Sequence, residues 1–323
     1  METGKPLISV LLAVYEPRLD WLEAQLRSLA AQTYPNLRVY IRDDASPTVP
    51  LSEIRACAAA CLGDLPWTLE RNERNLGSTA TFERLTAEAE GEYFAYGDQD
   101  DIWRPEKLAV LLSALESTGA LLVCSDMTVL DAEGRETAAS ITKVRRHHVF
   151  RSGEGLAPGI LFHNFVTGCT MLVRAEQARA AIPFCPHMVH DHYLALWCAE
   201  RGRIEALPQT LVAYRVHDRS QTPVLAGAED KTSYGRVRIG RTAERLRWLS
   251  ENFPCGAETK AAVAEGLSWA EARERNWART GGRRELWRLL RLSPLESLFE
   301  LAGTYMPEGL FRLCLRAGKR NWV

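Results

Sequence analysis

The chain has 323 residues, 46% of them hydrophobic and 25% charged, with a formal net charge of −1. That is enough apolar material to bury the core of one large α/β domain plus an appendage, and it excludes a disordered or fibrous chain. No apolar run reaches the ~18 residues of a membrane span, and the first six residues lack the basic-then-apolar pattern of a signal peptide, so the expected location is cytoplasmic.

The charge is unevenly distributed. From Lys231 to Val323, 18 Lys and Arg face 10 Glu and no Asp, an excess of +8, which leaves −9 on residues 1–230. The two parts are expected to do different jobs. Eight cysteines (57, 61, 124, 169, 185, 198, 255 and 314) form no C-x-x-C pair, and several sit in apolar runs. They read as reduced thiols.

In chain order, "ISVLLAVY" (8–15) and "LRVYIR" (37–42) are β-rich runs separated by "LDWLEAQLRSLAAQTY", whose apolar positions recur at helical spacing. This predicts a β-α-β unit with Asp20 as helix N-cap and Pro35-Asn36 as the turn. The alternation continues with a helix over 51–62, a strand at "WTLERNE", a helix over 79–90 capped by Ser78 and a strand over 92–97. A helix over 105–118 with Pro105 at its first position and a strand over 120–127 follow. A stretch after residue 130 reads as loop, and then come a strand at "FVTGCTMLVR", a helix at "HDHYLALWCAERG" and a strand pair, "RIEALP" and "LVAYRVH". From about residue 226 the pattern is helical and arginine-rich. Strands alternating with helices predict a mostly parallel sheet, whose ligands bind beyond the strands' carboxyl ends. The polar clusters "AVYEP", "DDAS", "NERNLG" and "DQDD" all fall at such ends.

The last cluster places Asp98, Asp100 and Asp101 within four positions. Such a knot is costly unless a cation or hydrogen-bond donors compensate it. Mg²⁺ or Mn²⁺, which prefers oxygen ligands and shares them with substrate phosphates, is the economical answer. The plainer alternative is that the aspartates cap the following helix.

With these pieces in place, "ISVLLAVYEP", "DDAS", "NLGSTATFERL" and "GEYFAYGDQDDIWRPEKL" together resemble a family 2 glycosyltransferase of the GT-A fold, over roughly residues 6–220. The variant "DQDDIW" with "PEKL" is similar to the rhamnosyltransferase-like branch that builds bacterial surface polysaccharides. The resemblance implies an α/β GT-A domain, Rossmann-like with helices on both faces of the sheet, over 1–225, followed by a helical, basic region over 226–323. It implies a donor sugar on a nucleoside diphosphate, dTDP- or UDP-linked. Ala13, Val14, Tyr15, Asp43, Asp44, Asn75, Gly77, Asp98 and Arg215 would bind that donor. Asp98, Asp100 and His217 would hold Mn²⁺ or Mg²⁺, with Asp100 the most direct ligand and Asp101 able to share the task. Asp191, at the start of a helix, would be the general base of an inverting transfer. Trp103, Thr167, Gly168 and His190 would contact the acceptor, a glycan or lipid-linked glycan.

Structural alternatives accompany several of these roles. Asp43 and Asp44 also suit a turn, Arg215 a surface salt bridge, Thr167-Gly168 a strand bulge, and His187, His190 and His192 a zinc site. The tail "RRELWRLLRLSPLESLFELAGTYMPEGLFRLCLRAGKR" reads as amphipathic helices suited to peripheral contact with an anionic membrane, or else as a helical cap or a homo-oligomer contact. Nucleic acid is not expected as a partner, because no aromatic stacking platform accompanies the basic residues. Two competing functions are a Mg²⁺ nucleotidyltransferase or phosphotransferase, disfavoured by the lack of a P-loop, and a non-catalytic carbohydrate-binding relic of the fold.

Overall fold

In the computed structural model, which describes residues 4–145, 148–217 and 227–321, the chain divides into two compact units. The first comprises Met1–Ile160 and Asn164–His217; the second comprises Leu161–His163 and Asp218–Val323.

The first unit opens with β1 (Ile8–Val14), α1 (Leu19–Ala30), β2 (Leu37–Asp43), α2 (Leu51–Leu62), β3 (Trp67–Arg71), α3 (Ser78–Glu88) and β4 (Tyr93–Gly97). β1 is buried along nearly its whole length, as a strand covered by helices on both faces must be. The expected caps shift by a residue or two. Arg18 stands at the N-cap of α1 and pairs at 2.6 Å with Asp20 in the first turn, while Gly77 precedes α3 and Ser78 is its first residue. After β5 (Ile102–Trp103), α4 runs from Lys107 to Thr118, two residues later than expected, because Arg104–Glu106 form a turn whose carbonyls hold the Gln32–Thr33 segment.

Then follow β6 (Leu122–Leu130), β7 (Glu136–Ala138), the short helices α5 (Ile141–Val144) and α6 (Ala157–Ile160), β8 (Met171–Arg174), α7 (Ala175–Ala180), α8 (His190–Arg201) and β9 (Ile204–Arg215). The stretch expected to be loop thus contains β7 and α5. The expected strand "FVTGCTMLVR" is shorter, since Gly168–Thr170 make a 3₁₀ turn before β8. The expected pair "RIEALP" and "LVAYRVH" is one strand, β9, kept in parallel register with β6 by shifts around Asp126.

The nine strands form one sheet in the order β3-β2-β1-β4-β8-β6-β9-β5, with β7 on β6. The longest ladders, β1 with β2 and β4 and β6 with β9, are parallel; β8 runs antiparallel to both β4 and β6. Chain order reverses between β1 and β4, which makes the crevice beyond their carboxyl ends the switch point where such sheets bind ligands.

The second unit is helical: α9 (Lys231–Tyr234), a π-helical turn Gly235–Gly240, α10 (Arg241–Asn252), α11 (Ala257–Trp277), α12 (Arg283–Arg288), α13 (Pro294–Gly303) and α14 (Glu308–Asn321). Its interior is partly ionic. Arg273 and Glu300, both essentially inaccessible, pair at 2.5 Å, and the Tyr234 hydroxyl donates to Glu300 at 3.1 Å. Phe162 packs against Trp269 and approaches Gly266 so closely that a Cβ there would lie 2.9 Å from the ring. No helix among the described residues is long and apolar enough to cross a membrane.

Candidate active site

At the switch point the Gln99 side chain stitches β4 to β1: it accepts from the Tyr15 N–H at 2.8 Å and donates to the Tyr15 carbonyl at 3.0 Å. The Val14 carbonyl accepts from the Asp44 N–H at 2.7 Å. The backbone at Val14 and Tyr15, expected to hold the nucleobase, is therefore engaged by the protein, and the exposed Tyr15 ring is what this strand end offers. Ala13, half-buried, lies in the β1 ladder opposite Arg42.

Asp43 and Asp44 are both buried. Asp43 accepts from the Ser46 hydroxyl at 2.5 Å and pairs with Arg71. Asp44 accepts from Asn72 Nδ2, Leu76 N and Gly77 N, each at 2.8 Å, and so pins the loop that carries Asn75 and Gly77. Gly77 sits at φ 82°, a backbone region that favours glycine, and its N–H also reaches Asn75 Oδ1 at 3.1 Å. Asp43 thus braces the turn after β2 against Arg71, and Asp44 shapes the following loop.

The carboxylate knot is resolved by separating its members. Gly97 ends β4 because a Cβ there would lie 3.2 Å from the Trp103 ring. Asp101 is fully buried; one oxygen accepts from the Arg215 N–H at 3.1 Å and the other has no hydrogen-bond partner. Burial, then Asp100 and Asp98, push its carboxyl well up. Lys107 is equally buried, donates to the Cys169 carbonyl at 2.6 Å and stands 2.9 Å above the Trp103 ring; burial holds its amine well below the usual lysine range, against the opposing pull of Cys169, Asp101 and Asp98. Asp98 is half-buried, and its carboxyl is pushed up to about 7 by desolvation and then by Asp100 and Asp191. Asp100 is partly accessible, and its Oδ2 lies 2.6 Å from His217 Nε2. His217 in turn packs against the Trp21 ring, with centroids 4.8 Å apart.

Three oxygen or sulfur atoms, from Asp98, Asp101 and Cys169, lie within 4.8 Å of one another. The Cys169 thiol is held well up by burial and neighbouring carboxylates, and the buried Lys107 Nζ bonds to that residue's own carbonyl. Asp100 and His217, in contact at 2.6 Å, pair a carboxylate with an imidazole, which suits Mg²⁺ or Mn²⁺, whereas the Asp98 carboxylate lies with Asp101 and Cys169.

Asp191 lies in the first turn of α8, where the helix dipole favours a carboxylate. Its Oδ2 accepts from the Gly168 N–H at 2.9 Å and its Oδ1 from the His192 N–H at 2.5 Å. Desolvation nevertheless raises it to about 6, against those two hydrogen bonds and the charge of Arg145. Gly168 has no room for a side chain, since a Cβ would lie 2.7 Å from His190 Nε2. Thr167, whose carbonyl accepts from the Thr170 N–H and hydroxyl, starts the turn that presents Gly168.

Three expected contacts are corrected by burial. Trp103 is a core residue beneath the cluster and cannot line an acceptor groove. His190 is buried against Phe82, with ring centroids 3.9 Å apart, and burial depresses its imidazole to about 3. It is a neutral packing group. Arg215, also buried, donates to the carbonyls of Asp100 at 3.0 Å, Asp131 at 3.3 Å and Ala132 at 3.5 Å, with its guanidinium 5.0 Å from the Trp21 ring. It buttresses the aspartate loop through its Nε and Nη1. Nor do the three histidines make a zinc site: His187 is exposed, His190 is stacked, and His192 Nε2 bonds the Ile160 carbonyl at 2.6 Å.

Sequence reasoning missed Gln99, Lys107, Cys169 and Trp21. For Lys107 there is no sequence signal, because a lysine opening an amphipathic helix ordinarily faces water. Trp21, seven residues beyond β1, could have been found as an aromatic at the mouth of the switch point.

Comparison with known proteins bears on family and fold. A protein of Bacillus subtilis (strain 168), named provisionally as the teichuronic acid biosynthesis glycosyltransferase TuaG, is 29% identical over 277 residues, 83% of this chain and 100% of its own. The dTDP-rhamnosyl transferase RfbG of Shigella flexneri is 24% identical over 241 residues, 68% of this chain and 76% of its own. The mannosyltransferase PcManGT of Pyrobaculum calidifontis, solved in complex with GDP-Man and Mn²⁺, superposes with a TM-score of 0.59 at 16% identity, covering 99% of this chain and 86% of that one. The last likeness shows the shared GT-A fold. The family model described as glycosyl transferase family 2 matches residues 9–176, more than half of the sequence, and the chain belongs to that family.

Proposed function

We propose that the chain is an inverting, metal-dependent hexosyltransferase. It moves rhamnose or another hexose from a dTDP- or UDP-linked donor to a hydroxyl of a growing surface polysaccharide or lipid-linked glycan. One observation carries this reading: the aspartate loop beyond β4 meets His217, 2.6 Å from Asp100, and lies near a further carboxylate, Asp191, whose charge acts on Asp98. The names of TuaG and RfbG support a surface polysaccharide and a deoxyhexose, and the GDP-Man and Mn²⁺ of the archaeal enzyme support a nucleotide sugar with a divalent cation.

Asp98, Asp100 and His217 would hold Mn²⁺ or Mg²⁺, which when bound stabilises the negative charge that develops on the departing nucleoside diphosphate. The protein's own residues do the rest. The 72–77 loop, fixed by Asp44, presents Asn75 and Gly77 to the donor, and the Tyr15 ring offers a face to the nucleobase. Asp191, steadied by the N–H groups of Gly168 and His192, takes the proton of the acceptor hydroxyl as its oxygen bonds to the anomeric carbon and the bond to the diphosphate breaks. One base and an in-line attack give inversion. Residues 1–225 perform transfer; residues 226–323 bring the enzyme to a lipid-linked acceptor by peripheral contact with the inner face of the cell membrane, as a monomer or homo-oligomer.

The test is a screen of nucleoside diphosphate sugars by thermal shift and donor hydrolysis, with and without Mn²⁺, on the parent and on Asp100→Ala. The parent is expected to select one nucleotide and to bind it more tightly with Mn²⁺; the variant should lose that Mn²⁺-dependent part. Full transfer by a chelated, metal-free preparation refutes the metal role.

A further inference from the structure

Among the described residues ten large hydrophobic side chains are exposed, and six of them, Trp287, Leu295, Leu298, Tyr305, Leu310 and Leu313, lie in one stretch of the helical unit. Each helix there is two-faced. In α13, Ser297, Glu300 and Leu301 are buried while Leu295, Leu298 and Ala302, at helical spacing, are exposed. In α14, Phe311 and Leu315 face inward, Leu310, Leu313 and Ala317 form an outer stripe, and Arg312 and Arg316 lie beside it. The two helices pack closely, since a Cβ on Gly303 would lie 3.0 Å from the Phe311 ring. The guanidiniums of Arg279 and Arg283 stand 5.3 and 5.5 Å from the Tyr305 ring, which ties α12 to the same side. Arg283, Arg284, Arg288 and Arg316 are exposed and have no ion pair among the described residues.

An outer leucine stripe at 65% and 61% exposure for Leu295 and Leu313 is costly in water. Unpaired arginines around it match a surface that is apolar inside and negative at its rim. Four exposed arginines without an ion pair among the described residues, beside bare leucine on two helices, favour a lipid surface over a protein partner of ordinary interface composition. We propose that α12–α14 form a docking surface for an anionic lipid bilayer, with Leu295, Leu298, Leu310 and Leu313 entering the acyl boundary and Arg283, Arg284, Arg288 and Arg316 contacting lipid phosphates. This deepens the peripheral contact of the proposed function and rests on it, but its test does not require transfer.

The experiment is flotation of the full chain with phosphatidylcholine vesicles with and without about a third phosphatidylglycerol. Thermal denaturation and size exclusion at several concentrations accompany it. The intact protein is expected to float only with the anionic vesicles, and less so as salt rises. Leu310→Glu/Leu313→Glu should lower partitioning at least about a hundredfold, the scale of losing two buried leucines, at unchanged melting temperature because both positions are exposed. Arg283→Ser/Arg284→Ser/Arg288→Ser should reduce binding to anionic vesicles and flatten its salt dependence. Nucleotide binding by all variants should equal the parent's, so a failed transferase reading would show in the donor screen and not here. No flotation of the intact chain overturns the proposal. So does equal flotation by the leucine variant, or a dimer that dissociates when these leucines are replaced, which would make a second copy the occupant.

Discussion

The contact between Gly168 and His190 allows the placement of the general base to be tested without touching the base itself. A methyl group at position 168 would sit 2.7 Å from His190 Nε2, 3.1 Å from its Cε1 and 3.7 Å from Asp191 Cβ. His190 cannot yield easily, because Phe82 lies 3.9 Å away on one side and Tyr96 5.2 Å away. Gly168→Ala is therefore an overpacking change, expected to cost about 1–3 kcal/mol. It should also shift the N–H that holds Asp191 Oδ2 at 2.9 Å, so turnover should fall while the KM for donor stays near the parent value. His190→Ala leaves a cavity at a cost of roughly 3 kcal/mol, the scale for truncating a buried ring. In the double variant the new methyl finds that cavity. The two effects should then fall short of additivity by about 1–2 kcal/mol, since the residues share one space. Urea unfolding followed by tryptophan fluorescence measures each corner of the cycle. Costs that add to within about 0.5 kcal/mol would mean that the clash is relieved elsewhere, and the tight coupling of Gly168, His190 and Asp191 would be refuted.

Asp191→Asn keeps the shape of the base but not its proton affinity, so turnover is expected to drop about a hundredfold or more with donor binding changed only a few-fold; steady-state kinetics beside nucleotide titration checks it. Because Asp191 is raised to about 6 and acts in its ionised form, kcat/KM should rise with pH through that region and be lost below it, and a cation bound nearby should move the limb to lower pH. A flat profile between about pH 5 and 7 counts against Asp191. Arg215→Met removes the donor shared by three carbonyls and should lower the melting temperature as well as donor binding; a variant with parent stability and lost diphosphate affinity would return Arg215 to the phosphate. Arg273→Met strips a buried partner from Glu300 and should cost about 3–5 kcal/mol in chemical denaturation, whereas little change would mean that the pair is hydrated in solution.

The outline of the fold was readable because strands and helices of the first unit carry distinct apolar periods, and because parallel topology collects their polar ends at one edge. Asp98 and Asp100 stood out at that edge, whereas Asp191 and His217 were pointed to only by the family resemblance. The errors share one physical origin. Local sequence shows that Asp43, Trp103 and Arg215 stand near strand ends and that His190 opens a helix, yet the surroundings of Asp43, His190 and Arg215 depend on groups distant in sequence, Arg71, Phe82 and the carbonyls of Asp131 and Ala132, and that of Trp103 on a lysine one helical turn on that turns inward. β9 was divided in two for a similar reason, since the proline and glutamine in its middle break the apolar pattern while its pairing with β6 does not break.

The bonds from Arg215 and His217 back to the aspartate loop also bear on the order of assembly. The Asp100 and Asp101 carboxyls meet partners that come more than a hundred residues later, at the far end of β9. A chain folded only as far as β4 would hold acidic groups in a nascent interior with neither the β9 amide nor the imidazole to receive them. Closing so long a loop is entropically slow, and until it happens local structure and the eventual fold disagree at this point. The binding crevice is thus the last part of its unit to become stable, and it is the region where late substitutions in β9 should be felt as slow maturation before they are felt as lost chemistry.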